Sequence, residues 1–199
     1  MSDFSIYFGI GYEHIADFKE FKGLDHILFI LALTLRYQWS DWKKLLILVT
    51  AFTIGHSVSL ALTALDIIDP PMDWVEFLIP LSIVITAATN VGVKKFNFKS
   101  KFPLIYFLAL FFGLVHGMGF GYGLKSLLGK GTELLMPLLA FNVGLEIGQL
   151  VVVVAILLLT FIFTGLLKVN RREYLLFASA MVFALALQMS IERAPFLNH

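Results

Sequence analysis

Cysteine is missing altogether from this 199-residue chain. That excludes disulfides, thiolate metal sites and cysteine nucleophiles together. A metal would have to rest on imidazole and carboxylate, which suit nickel, cobalt, zinc or iron better than Cu(I). Charge is scarce as well, at 15% of residues, and the net charge is only +1. No basic run and no interleaving of basic and aromatic residues points to nucleic acid. The first residues, MSDFSIYFGIGYEH, hold neither a basic n-region nor an A-x-A-like cleavage site, so no removable signal peptide is expected. Periodic repeats and low-complexity stretches are absent too.

Apolar surface is what the chain has in quantity. It is 59% hydrophobic with twenty phenylalanines, and its mean hydropathy is +0.87. These values exclude an ordinary soluble domain and point to an all-α polytopic membrane protein, one integral-membrane domain over residues 1–199. Six spans are expected, at about 20–35, 42–65, 72–93, 102–124, 134–167 and 174–191. The first is marginal in length. Either it extends back through the amphipathic segment Tyr12–Lys22, or that segment forms a short N-terminal interfacial helix.

Loop charge sets the expected orientation. The loops after spans one, three and five carry Arg36, Lys43, Lys44, Lys94, Lys95, Lys99, Lys101, Lys168, Arg171 and Arg172. The other side keeps Lys19, Lys22, Lys125, Lys130 and Arg193. By the positive-inside rule both termini face away from the cytoplasm.

Ionisable groups inside such spans are costly, roughly 2.5–3.5 kcal/mol at a helix centre, and usually face a bundle interior with a task. Here they are His26, His56, His116, Asp25 and Glu146, with Glu76 at a membrane edge. His56 and His116 each lie about 21 Å along their helices from the basic side of a core roughly 30 Å thick. Gln188 reaches the same level, while Asp25 and His26 sit near the opposite entry. Asn142, Glu146 and Gln149 share one helix face by their i, i+4, i+7 spacing. One such histidine could be interhelical glue. Several at one depth imply a metal or catalytic site holding Asp25, His26, His56, His116 and Glu146. His14, Ser57, Glu76, Asn142, Gln149 and Gln188 would support it, and Glu76 or Glu146 is the candidate general base. Ser59, Ser82, Thr86 and Asn90 read as interhelical glue, Arg193 as a surface residue, and His199 is discounted.

Five strings occur in order: Gly23-Leu24-Asp25-His26, Phe52-Thr53-Ile54-Gly55-His56-Ser57, Val75-Glu76, Phe112-Gly113-Leu114-Val115-His116-Gly117, and Phe141-Asn142-Val143-Gly144-Leu145-Glu146. Together they resemble the HupE/UreJ family of bacterial inner-membrane proteins over about residues 10–155. The resemblance implies divalent transition-metal uptake through a permease of the nickel or cobalt type. Asp25 and His26 match the family's first-helix pair, and His116 matches its His-Gly motif. The nickel-permease pattern has a further histidine where Lys19 stands, and a histidine and a glutamate where Gly113 and Gly119 stand. In these departures the chain resembles the family's second branch.

Three functions follow from these residues. The first is a divalent-metal permease carrying nickel, cobalt or zinc. The second is a membrane-embedded metal-dependent hydrolase acting on a lipid or lipoprotein at the outer leaflet. The third is a metal-stabilised partner protein. Expected partners are membrane lipid and the metal ion, with homo-oligomer formation open.

Overall fold

Hydrocarbon offers backbone groups no partner but each other, so a chain this apolar must be helical wherever it crosses. The computed structural model, which describes residues 3–17, 23–93, 96, 104–128 and 135–197, is helical throughout, with no strand among those residues. Its helices are α1 (Asp3–Ala16), α2 (Leu24–Thr34), α3 (Trp42–Ala64), α4 (Met72–Val91), α5 (Leu104–Leu128), α6 (Leu135–Phe161) and α7 (Arg171–Glu192). A 3₁₀ turn, Trp39–Asp41, leads into α3, and a π turn, Ile162–Leu166, continues α6. Five of these helices, α3 to α7, are long and apolar enough to cross a membrane. They follow the last five expected spans to within a few residues. Lys19, Lys22, Lys94, Lys95, Lys99, Lys101, Lys130 and His199 lie outside the described residues.

The amino-terminal end differs from expectation. Instead of a helix beginning near residue 20, there are two short ones, of 14 and 11 residues. Neither reaches the roughly 20 residues of a complete span. Nor does α1 lie apart as an interfacial helix, because it packs along α6 with backbone contact. A Cβ at Gly144 would collide with the Phe8 carbonyl, so this glycine is what lets the two helices touch. The signal was present in Phe8-Gly9-Ile10-Gly11, but an amphipathic reading that begins at Tyr12 passes over it.

Helices α3 and α5 form a second parallel pair by the same means. Gly117 sits on the His56 carbonyl and the Ser59 hydroxyl, leaving no room for a side chain. Small residues that let backbones approach are the usual basis of helix association in lipid, where no hydrophobic drive exists between helices. The close approach places His56 and His116 side by side in the bundle.

The basic end of the bundle is tied by one polar network. Arg36 is buried (8% exposed), and its guanidinium donates to Asn90 Oδ1 and to Thr89 Oγ1 at 2.7 Å. The Asn90 amide in turn donates to the Ala32 carbonyl at 2.9 Å and to Ser179 Oγ at 3.0 Å. Arg171 reaches the Arg36 carbonyl at 2.8 Å. One asparagine therefore joins α2, α4 and α7. Asn90→Leu leaves the buried guanidinium with Thr89 Oγ1 alone and should cost about 1.5–3 kcal/mol, the range of a lost hydrogen bond to a charged group. Denaturant or thermal unfolding in detergent reads this, and an unchanged midpoint would mean that the network carries little stability.

Candidate metal centre

Four imidazoles converge at the centre of the bundle. His14 comes from the last turn of α1, His26 from the first turn of α2, His56 from mid-α3 and His116 from mid-α5. The His14 and His26 rings lie 4.7 Å apart, His14 and His56 5.9 Å, His26 and His56 5.8 Å, and His26 and His116 5.0 Å, centroid to centroid. Ligand nitrogens of His14, His26 and His56 all fall within 4.8 Å of one another. An ion bound at about 2.0–2.1 Å in tetrahedral geometry holds its nitrogens about 3.4 Å apart. Closing the shell thus takes rotamer adjustments of about an ångström.

These nitrogens lack protein partners. Nε2 of His14, Nε2 of His26, both ring nitrogens of His56 and Nδ1 of His116 are buried without a hydrogen bond. Buried polar atoms are normally satisfied, because each orphan costs about 1–3 kcal/mol. Several such orphans facing one another fit a cation that is to be bound there. His116 alone is held from behind, its Nε2 lying 3.2 Å from Ser82 Oγ on α4. That contact leaves Nδ1 for the cluster. Phenylalanine packs around the imidazoles, with Phe120 4.3 Å from His14, Phe29 5.4 Å from His116, and Phe52 5.9 Å from His26.

Among the described residues, the cluster opens toward Asp25, Glu76 and Arg193. A cavity of about 350 Å³ is bounded by His14, His26 and His116 at its floor, and by Asp25, Glu76 and Arg193 at its mouth. A neighbouring recess between α1 and α5 adds Glu13 and Asp17. Four carboxylates and one guanidinium at the entry favour cations over anions. Asp25 accepts from Arg193 through Oδ2 at 3.0 Å, while its Oδ1 is buried without a partner. Pro80, inside α4, has no N–H to give the Glu76 carbonyl, so that oxygen loses its helical donor.

The remaining sequence candidates lie elsewhere. Glu146 accepts from Thr50 Oγ1 at 2.8 Å, and Gln149 from Thr53 Oγ1 at 2.8 Å, both between α6 and α3. Asn142 and Ser57 donate to carbonyls of their own helices, Leu138 and Thr53. Gln188 is exposed and donates to Glu192 at 2.8 Å. Its depth matched the histidines, but its helix face points away. Conversely, Ser82 and Arg193, read as packing and surface, touch site residues, and His14 stands nearer the centre of the cluster than its place in an amphipathic segment suggests. The signal that could have raised His14 is its place one turn past Gly11, the glycine at which α1 meets the Phe141 carbonyl of α6. Nothing in the sequence marks Arg193.

The HupE / UreJ protein family's sequence model matches residues 1–193. The chain belongs to the HupE/UreJ family. No curated protein and no solved structure matches it. Family membership and the apolar helices together make it a multi-pass membrane protein of metal-handling, transporter type. Within this HupE/UreJ chain, the conjunction of buried imidazoles and an acidic entry is the feature that bears on that role.

Proposed function

We propose that this HupE/UreJ protein is a divalent transition-metal permease of a bacterial inner membrane. The observation that carries the reading is the set of partnerless imidazole nitrogens facing one another beneath an acidic cavity. The cation enters past Glu76 and Asp25, where Arg193 holds the Asp25 carboxylate until a stronger charge replaces it. It then exchanges water for His14, His26 and His56, with His116 as a fourth donor. Neutral imidazole binds nickel, cobalt or zinc at intermediate strength, and a carrier must also release its cargo. Glu146 and Gln149, bonded to Thr50 and Thr53, continue the polar groups toward the basic end.

In this reading α1 and α2 together make a sixth crossing, broken beside the histidines. Discontinuous spans at mid-membrane sites recur among carriers, because the interrupted helix frees groups to face the cavity. The basic end is cytoplasmic and both termini are outside. Cysteines placed at Ser2 and His199 should both react with an impermeant reagent in intact spheroplasts. Protection of either reverses the orientation. For the activity, purified protein in proteoliposomes should carry Co²⁺ inward, and His26→Ala should lower the flux at least about 100-fold, the upper range for disturbing a metal's ligand support. Undiminished flux in that variant would remove the cluster from the route.

A hydrolase reading is favoured by one feature, the carboxylates Asp25 and Glu76 beside imidazoles in an open cavity, which is the pairing of metal ligands with a general base. Zn²⁺-dependent cleavage of a lipid ester by the purified protein, without Co²⁺ flux, would establish it instead.

A further inference from the structure

The two parallel helix pairs repeat each other. In the first, Gly11 of α1 meets the Phe141 carbonyl of α6, Gly144 meets the Phe8 carbonyl, and Gly148 meets the Tyr12 carbonyl and Ile15. In the second, Gly55 of α3 meets the Leu110 carbonyl of α5, Gly113 meets the Phe52 carbonyl, and Gly117 meets the His56 carbonyl and Ser59. One constant offset carries Phe8, Gly11, Tyr12 and Ile15 onto Phe52, Gly55, His56 and Ser59. A second carries Phe141, Gly144 and Gly148 onto Leu110, Gly113 and Gly117. Each contact of one pair thereby becomes a contact of the other. A short sequence echo accompanies this: Phe-x-Ile-Gly at Phe8 and at Phe52, and Gly-Leu-x-x-Gly at Gly144 and at Gly113.

The pairs run in opposite directions. The end of α6, from Leu157 to Gly165, shares a cavity with Gln38, Trp39 and Ser40 at the start of α3. Phe141, near the start of α6, stacks on His56 in the far half of α3 with centroids 6.3 Å apart. Since α1 runs with α6 and α5 runs with α3, the repeat is inverted. The histidines lie at the junction: His56 and His116 belong to α3 and α5, His14 to α1. On the cavity side they are open. Toward the basic end they are stopped by Phe29, Leu33, Leu45, Leu48, Val49 and Phe52, which enclose only about 10 Å³, room for a single water.

We infer that α1·α6 and α3·α5 form an inverted repeat whose relative rocking opens the histidine cluster alternately to the two sides of the membrane. The inference rests on the transport reading above. Inverted repeats with a site at their junction permit alternating access by movement of one unit against the other. Backbone contacts make each pair a unit. Between pairs, side chains do the joining: the Phe120–Phe141 stack at 5.2 Å, the His14–His56 contact, and the Thr50–Glu146 and Thr53–Gln149 hydrogen bonds. Closing the His14, His26 and His56 nitrogens, which lie within 4.8 Å of one another without metal, onto an ion shifts α1 with α6 against α3 with α5, and this movement opens the route toward the basic end.

The absence of native cysteine lets single cysteines report this directly. Ile79→Cys, in the wall of the open cavity, should react with an impermeant thiol reagent from the Arg193 side without metal. Leu48→Cys, in the closed wall, should be protected without metal and become reactive from the basic side on adding Co²⁺, its labelling rate rising at least about tenfold as a minor state of a few per cent becomes populated. Val49→Cys in the same wall serves if Leu48→Cys does not fold. Protection of both wall positions during measured Co²⁺ flux overturns the rocking mechanism and leaves the transport reading intact. Co²⁺-dependent labelling without flux supports the rocking and retires transport.

Discussion

His56→Leu is expected to abolish Co²⁺ binding and, in the metal-free protein, to raise stability. The side chain is fully buried, with both ring nitrogens unpartnered and with Phe52 and Phe141 beside it. An imidazole in such surroundings is a net cost to the apo fold, about 1–3 kcal/mol for the orphaned polar atoms. Leucine fills a similar volume without polar atoms, so the apo protein should melt at a higher temperature. Wild-type protein should recover the difference when Co²⁺ is added, by about 2.7 kcal/mol at a hundredfold excess over its dissociation constant. The variant should not respond to metal at all. Thermal unfolding in detergent with and without Co²⁺, beside calorimetric titration, separates the two effects. A variant that loses apo stability yet keeps its metal response would make His56 a packing residue.

Gly117→Val should be among the most damaging small changes in the bundle. The added side chain would stand where the His56 carbonyl and Ser59 hydroxyl already are, and backbone cannot yield as a side chain can. Overpacking typically costs about 1–3 kcal/mol; with backbone as the obstacle, more than about 3 kcal/mol is expected. The α3·α5 separation would also carry His56 away from His26, so Co²⁺ binding should fall with stability. Gly9→Val is the matched control, since nothing lies within 4 Å of its missing Cβ. Expression and melting of the two variants in the same detergent test the contrast. Equal behaviour would mean that the glycine does not set the helix separation.

The membrane character and five of the helices were legible because hydrocarbon imposes length and apolarity on every crossing, and these are additive properties of a sequence. That His26, His56 and His116 would turn into the bundle was legible for a related reason: a polar group in that solvent is expensive when it faces lipid. Depth could be counted along each helix at a fixed rise, which brought the same residues to one level. Rotation about each helix axis could not be counted. It separates Gln188, which faces outward to Glu192, from His116 at matching depth. It turns Glu146 toward Thr50 and brings Arg193 to Asp25. Rotation is decided by which faces of two helices fit together, a pairwise property that no single segment contains. The two parallel pairs are the sharpest case. Glycines at Gly11, Gly144 and Gly117 are visible in the sequence as small residues, yet which backbone each one meets depends on the packing of helices distant in the chain. Composition therefore determined the solvent, the spans and the donors available. Tertiary packing alone decided that His14 joins them, that α1 and α2 are separate, and that the two pairs repeat with opposite direction.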